Sequence, residues 1–241
     1  MTARANISRP RTSHTLLTLG NQSGFTLIEG VITIVILGIA MVTLTSFLFP
    51  QVERSATPYY QTRAAAIGNA FLNEILSRQF DEYSDPFGDS VVRCGETHEE
   101  KTYTCSEPNE NGVWPIDKES EYFDYVLPGS SLPAGKGLVV AIANDVDDFH
   151  GCWGDLSLCH ERYNHNRLPW RGAIENLVGD QVAQSGTYNN MTVSVAVSYD
   201  SRFDTAYPEE TPFPHQHKRV VVEVDTGRYG KYDFVAYRSN Y

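Results

Sequence analysis

Residues 24–49 read GFTLIEGVITIVILGIAMVTLTSFLF. After Gly24 come 25 residues with a single charge, that of Glu29. As a helix rising about 1.5 Å per residue the run is roughly 37 Å long, enough to cross a ~30 Å hydrocarbon core with some tilt. Residues 1–24 contain Arg4, Arg9, Arg11 and His14 and no acidic residue. By the positive-inside rule this leader faces the cytoplasm and residues 50–241 lie on the other side. A secretory leader places its apolar core before a small-residue cleavage site. Here the order is basic tail, Gly24, then apolar run, so cleavage between Gly24 and Phe25 keeps the apolar segment in the mature chain. The plainer alternative is an uncleaved signal anchor with a chance glycine. Glu29 argues for cleavage. A charge at the centre of a membrane helix costs about 2.5–3.5 kcal/mol, which makes it a functional group by default. Cleavage turns Glu29 into the fifth residue of a new N-terminus, where the helix macrodipole favours an anion.

The averages conceal this segment. The 241 residues carry 19 Lys+Arg and 30 Asp+Glu, a net charge of −11, and the mean hydropathy is −0.33. A hydrophobic fraction of 41% is too high for a wholly disordered chain. The acidic balance argues against a sequence-neutral nucleic-acid binder, which needs a basic patch to displace counterions. Removing the leader's three arginines leaves 16 basic against 30 acidic residues, a net of −14. A short positive tail therefore precedes a strongly negative body.

The string Gly24-Phe25-Thr26-Leu27-Ile28-Glu29, followed by the apolar run, resembles the class III signal of type IV prepilins and type II secretion pseudopilins. The resemblance implies that Gly24 is the last leader residue and that a prepilin peptidase makes Phe25 an N-methylated N-terminus. It also implies that Glu29 pairs with the amine of an adjacent subunit. Implied partners are other major and minor pilins, an inner-membrane assembly platform, and the membrane before assembly. No cofactor and no nucleic acid are implied. Gly30 after the glutamate is less usual and is expected to loosen the first helical turns. The remainder is most similar to minor pilins of the MSHA (mannose-sensitive haemagglutinin) pilus, on the segment 144–151 (NDVDDFHG) and the alternating strands after it.

Beyond the apolar run the helix is expected to continue. Ala64, Ile67, Phe71 and Ile75 recur at helical spacing with Leu72 and Leu76 beside them, while Arg63, Asn73, Glu74 and Arg78 supply polar faces. Pro50 and Pro58 are expected to kink or open it. The division expected is leader 1–24, transmembrane or filament-core helix 25–49, amphipathic continuation 50–80, and a globular head 81–241. Residues 81–132 read as a long loop with short strands. Strands are expected at 137–143, Thr192–Tyr199, 219–224 and 232–237, the last two flanking Asp225-Thr226-Gly227 as a hairpin. Residues 203–217, with Pro208, Pro212 and Pro214, read as an excursion between strands, and His215 and His217 beside Lys218 and Arg219 as exposed loop. An amphipathic helix and a one-faced antiparallel sheet bury each other. The expected class is α+β, and the resemblance implies the pilin-like roll.

Cys94 and Cys105 enclose ten residues, and Cys152 and Cys159 enclose six. Outside the cytoplasm disulfides persist, and local pairing is the simplest of three connectivities. Zinc is the rival, because His150, His160 and His165 surround the second pair, but no C-x-x-C or H-x-x-x-H spacing supports it. Asp145, Asp147 and Asp148 are candidate calcium ligands. Their spacing fails the EF-hand pattern, and a solvated turn is the expected reading. Trp114, Trp153 and Trp170 are assigned to core or interface packing. No hydrolase, metalloprotease, P-loop or dinucleotide motif is present, so the expectation is a protein that is not an enzyme. The sequence reading is a minor pilin of MSHA type that joins or initiates a pilus and serves surface attachment. It would be single-pass in a bacterial inner membrane with a periplasmic head, and later at the cell surface. A minor pseudopilin of a type II secretion system is the alternative, and a signal-anchored periplasmic enzyme or binding protein the third.

Overall fold

The computed structural model describes residues 24, 26–84, 93–116, 118–179, 188–200 and 216–240. Most of the leader, Phe25 and residues 203–215 of the expected excursion, His215 included, lie outside the described residues. The chain divides into one unit ending at Val52 and a second from Glu53 to Tyr241.

Helix α1 spans Leu27–Leu76. Its assignment runs without interruption through Gly30, Pro50 and Pro58, so the first turns are not loosened and the helix does not open at either proline. Gly30 N–H bonds Thr26 O at 3.2 Å, as an early helical residue should. A proline removes one N–H donor, and the unbroken turns on either side carry the helix across it. Residues Leu27–Phe49 form a 23-residue apolar span, none of it buried. The hydroxyls along it are satisfied locally: Thr33 donates to Glu29 O, Thr43 to Ile39 O and Thr45 to Met41 O. Such back-bonding lets hydroxyl groups sit on a helix in an apolar medium.

In the second unit Ala64, Ile67, Phe71 and Ile75 are buried to within 2% exposure. They pack against a five-stranded sheet built from β5 (Gly151–Gly154), β6 (Trp170–Gly172), β7 (Thr192–Tyr199), β8 (His217–Asp225) and β9 (Lys231–Ser239), in the order β6-β5-β7-β8-β9. The β5–β6 pair is parallel and the other pairs are antiparallel. Val193, Val195 and Val197 of β7 and Val220, Val222 and Val224 of β8 form the inner face and join the helix stripe in one core with Trp114 and Trp153. Each such side chain contributes roughly 1.5–3 kcal/mol by leaving water. Two smaller pairs precede the sheet: β1 (Thr97–His98) with β2 (Lys101–Thr102), and β3 (Tyr122–Tyr125) with β4 (Gly135–Leu138). Short helices α2 (Leu156–Arg162) and α3 (Glu175–Val178) lie between the sheet strands.

The strand expected at 137–143 ends at Leu138. Ile142 and Ala143 N–H both turn back to Val139 O, and Ala143 O receives Arg78 Nη1 at 2.8 Å. The expected hairpin is present, and its connection is five residues, 226–230, because the strands extend to an Asp225–Lys231 pair. The strand expected at 219–224 is present and begins two residues earlier, so His217 and Lys218 belong to β8 instead of a loop.

Gly68 sets the helix–sheet separation. A Cβ there would lie 2.4 Å from the Phe234 ring. In a plain helix Gly→Ala gains up to about 1 kcal/mol. Here Gly68→Leu is expected to cost roughly 1–3 kcal/mol through overpacking, with Phe234→Ala in the same chain relieving it. Thermal melts of the two variants check this, and a Gly68→Leu protein as stable as wild type would refute the close approach.

Candidate functional site

Gly24 and Glu29 lie at the exposed start of α1. Thr26 stands just before the first helical residue, and its Oγ1 accepts from Glu29 N–H at 3.4 Å. Thr26-Leu27-Ile28-Glu29 is thus a Thr-x-x-Glu capping sequence, a signal legible in the sequence but not used there. The cap fixes where the helix begins, and so places Glu29 in the first turn, beside the positive end of the helix dipole.

The second concentration of chemistry is in the head, where the sequence reading fails. Asp145, Asp147 and Asp148 were expected on a solvated turn or around calcium. They are instead 1%, 2% and 4% exposed, in and before a single 3-10 turn at Asp147–Phe149. The cation among them is Lys218 of β8, fully buried, whose Nζ donates to Asp147 Oδ2 at 2.5 Å, Asp81 Oδ2 at 3.1 Å and Phe80 O at 2.7 Å. The rings of Phe80, Trp114 and Tyr199 surround the ammonium at 4.5–5.2 Å. Asp145 Oδ1 caps the turn by accepting from Asp147 N–H and Asp148 N–H. Asp148 accepts from Tyr122 Oη at 2.8 Å and from Asn144 N–H. Arg171, also buried, lies over the Tyr122 ring and donates Nε–H to His150 O. Asp81 further accepts from Ser106 N–H, next to Cys105. The cluster joins the segment after α1, the 3-10 turn, β8 and the residue after Cys105.

The charges are unequal. Among the described residues, Asp81 Oδ1, Asp145 Oδ2, Asp147 Oδ1 and Glu121 Oε2 are buried without a hydrogen-bond partner. Burial, then Asp147 and Asp148, holds the Asp145 carboxyl well above the carboxylate range. Burial, then Asp148, pushes Glu121 up to about 7. Burial pushes Asp147 upward while Lys218 opposes it. At 3% exposure or less, Asp81, Asp145, Asp147 and Glu121 suit holding the head together better than reaching a substrate.

A pH dependence follows. Carboxyls whose folded pKa is raised contribute stability that is complete below their unfolded pKa and is lost as pH rises through the folded value. His150 works oppositely: burial lowers it to about 4, so it costs stability as pH falls below its unfolded value near 6.5. Asp145 and Glu121 together outweigh it. The head is expected to be more stable at pH 5.5 than at pH 8.5, with Glu121→Gln flattening the slope. Melting temperatures across that range check it, and a flat or rising profile would contradict the buried protons.

Cys94 pairs with Cys105 and Cys152 with Cys159. The second bond ties β5 to α2, whose first turn is capped by Asp155 through Ser157 and Leu158 N–H. The zinc alternative loses its ligands. The sulfurs are bonded to each other, and both ring nitrogens of His150 are engaged. Val197 N–H donates to Nδ1 at 3.1 Å, which leaves the Nε2 proton for Arg167 O at 2.9 Å. Only His160 and His165 are close together, with ring centroids 4.7 Å apart. Trp114, Trp153 and Trp170 are 2%, 0% and 8% exposed.

Residues 19–45 match the prokaryotic N-terminal methylation motif. No curated protein and no solved structure matches the chain. The motif supports a type IV pilin or pseudopilin precursor and implies processing by a prepilin peptidase. Together with the apolar helix it fits anchoring in a membrane.

Proposed function

We propose that the chain is a minor pilin of an MSHA-type type IV pilus, a filament subunit and not an enzyme. The observation that carries this reading is the methylation motif at 19–45 laid over a capped helix, with Glu29 the only charge on the 23-residue span. The precursor sits in the inner membrane with its head in the periplasm. A prepilin peptidase cuts between Gly24 and Phe25 and methylates Phe25. The assembly platform then moves the apolar half of the helix from lipid into the filament core, among other pilins. The same side chains serve both places, because lipid and a helix bundle are alike apolar. The MSHA assignment is supported by the likeness of residues 144–151 and the strands after them. The subunit joins or initiates the pilus and contributes to surface attachment.

N-terminal sequencing of the mature protein tests the reading: methylated Phe25 is the expected first residue, and an intact leader would overturn it. Gly24→Asp is expected to block cleavage completely, because a charged side chain then occupies the scissile position. A normally sized product on a gel would contradict this. Deletion of the gene separates the two machines. Loss of piliation with intact secretion supports the pilus, and the converse supports a type II pseudopilin.

A further inference from the structure

Lys218 is the nucleophile of the buried cluster. As an ammonium its Nζ carries three N–H donors, and three acceptors take them: Phe80 O at 2.7 Å, Asp81 Oδ2 at 3.1 Å and Asp147 Oδ2 at 2.5 Å. As a free amine it keeps two N–H groups, for Phe80 O and Asp81. Its lone pair then points at the remaining partner, Asp147. The Cγ of Asp147 lies one C–O bond beyond Oδ2, so a shift of less than about 1 Å brings the amine to the ~3–3.5 Å of a near-attack pair.

The surroundings bring that amine within reach. Lys218 and Asp81 are 0% exposed and Asp147 is 2% exposed. The rings of Phe80, Trp114 and Tyr199 stand where water would solvate the ammonium, and a lysine stripped of water is an activated nucleophile. Burial opposes the ammonium, although Asp147 and Asp81 hold it above its usual range. Burial also pushes the Asp147 carboxyl up to about 8, against the pull of Lys218. One proton passing from Nζ to Asp147 Oδ2 turns two buried charges into an amine and a carboxylic acid in contact. Among the described residues, Asp147 Oδ1 is buried without a hydrogen-bond partner, so no donor ties the carboxyl down on that side.

We infer that Lys218 and Asp147 close an amide cross-link within the folded head, with Asp81 as proton carrier. The amine attacks Cγ and the C–N bond forms. The extra proton on nitrogen passes to Asp81 Oδ2 and from there to the hydroxyl that leaves Cγ. Amine and acid give one amide and one water, and nothing is oxidised or reduced. Asp81 ends as the carboxylate it was, still accepting from Ser106 N–H. Holding the two groups in contact supplies the effective concentration that drives the condensation, and the rings keep out the water that would reverse it. The bond ties the turn before β5 to β8 and closes a covalent loop through β5, β6 and β7. The ion pair is the state that precedes it, so Lys218→Met loses the bond as well as the pair. The inference goes beyond the filament-subunit reading and does not depend on it.

Mass spectrometry of the full chain, purified in detergent and native by near-UV circular dichroism, tests it. The intact mass is expected one water below that of the sequence with both disulfides. Fragmentation after proteolysis is expected to yield a branched peptide joining Lys218 to Asp147. Lys218→Arg keeps the positive charge, cannot form the amide, and is expected at full mass. Asp81→Asn cannot carry the proton and is expected to lower the bridged fraction at least about tenfold, the smaller end of general acid–base effects being larger still. A natively folded wild-type chain at full mass would overturn the inference, and that measurement stands even if neither variant folds. So would a water loss that persists in Lys218→Arg, or one that fragmentation places at another residue, and an Asp81→Asn chain bridged to the wild-type extent would overturn the proton route. The comparison holds for precursor and mature chain alike, so its failure is distinct from a failure of the pilin reading.

Discussion

Lys218→Met is expected to destabilise the head by about 3–5 kcal/mol, the usual cost of removing one partner from a buried ion pair. For a unit of this size that is a fall in Tm on the order of 10 °C. The lysine is fully buried and is the cation shared by Asp81 and Asp147. A methionine fills much of the same volume and sits well among Phe80, Trp114 and Tyr199. The loss would therefore come from stranded carboxylates and not from a cavity. Lys218→Met combined with Asp147→Asn is expected to recover a large part of it, since a neutral replacement of a buried pair is often tolerated. Thermal melts of the full chain followed by near-UV circular dichroism give both numbers. A single variant within 2 °C of wild type, or a double variant no better than the single, would show that the lysine does not neutralise the cluster.

The same residue shows what the sequence holds and what it hides. Period-two reading of His217–Asp225 puts Lys218 in phase with Val220, Val222 and Val224, hence on the inner face. His215, His217, Lys218 and Arg219 put four basic or titratable residues into five positions, and that cluster of charge masks the period-two phase. For Asp145, Asp147 and Asp148 local sequence is insufficient. Their burial depends on Asp81 and Lys218, which lie far away in the chain, and an acidic turn without those partners belongs in water. The helix stripe Ala64, Ile67, Phe71 and Ile75 and the valines of β7 were legible because one period decides the buried face. Strand β5, Gly-Cys-Trp-Gly, was not. All four of its residues are buried, so there is no alternation to read, and its glycines serve the backbone. Gly151 has φ of 152°, and a Cβ there would lie 2.2 Å from Pro169 O, the carbonyl that receives Cys152 N–H at 2.8 Å. Helix α2 was missed for a related reason: seven residues with a disulfide carry too little periodicity to stand out. At the N-terminus, Thr26 was readable from the Thr-x-x-Glu spacing alone.

Glu29→Val is expected to leave cleavage and methylation unchanged and to cut incorporation into sheared filaments at least tenfold. Residues 25–49 contain no lysine, arginine or histidine. When such helices bundle, the new N-terminal amine is the only cation this stretch can offer to Glu29 of a neighbour. The carboxylate is placed for it, since Thr26 caps the helix and sets Glu29 in the first turn. Unpaired, either group is costly in an apolar core, whereas paired they fix the axial register of one helix against the next. Valine removes the carboxylate and suits lipid better than glutamate does, so insertion and access to the peptidase should not suffer. The loss is confined to the step at which the amine needs a partner. Glu29→Asp retains the charge on a side chain one methylene shorter and should fall between the two. Immunoblots of sheared and membrane fractions, with N-terminal sequencing of each, separate processing from assembly. If Glu29→Val enters filaments at the wild-type level, the amine is neutralised by something else and the pairing scheme is wrong.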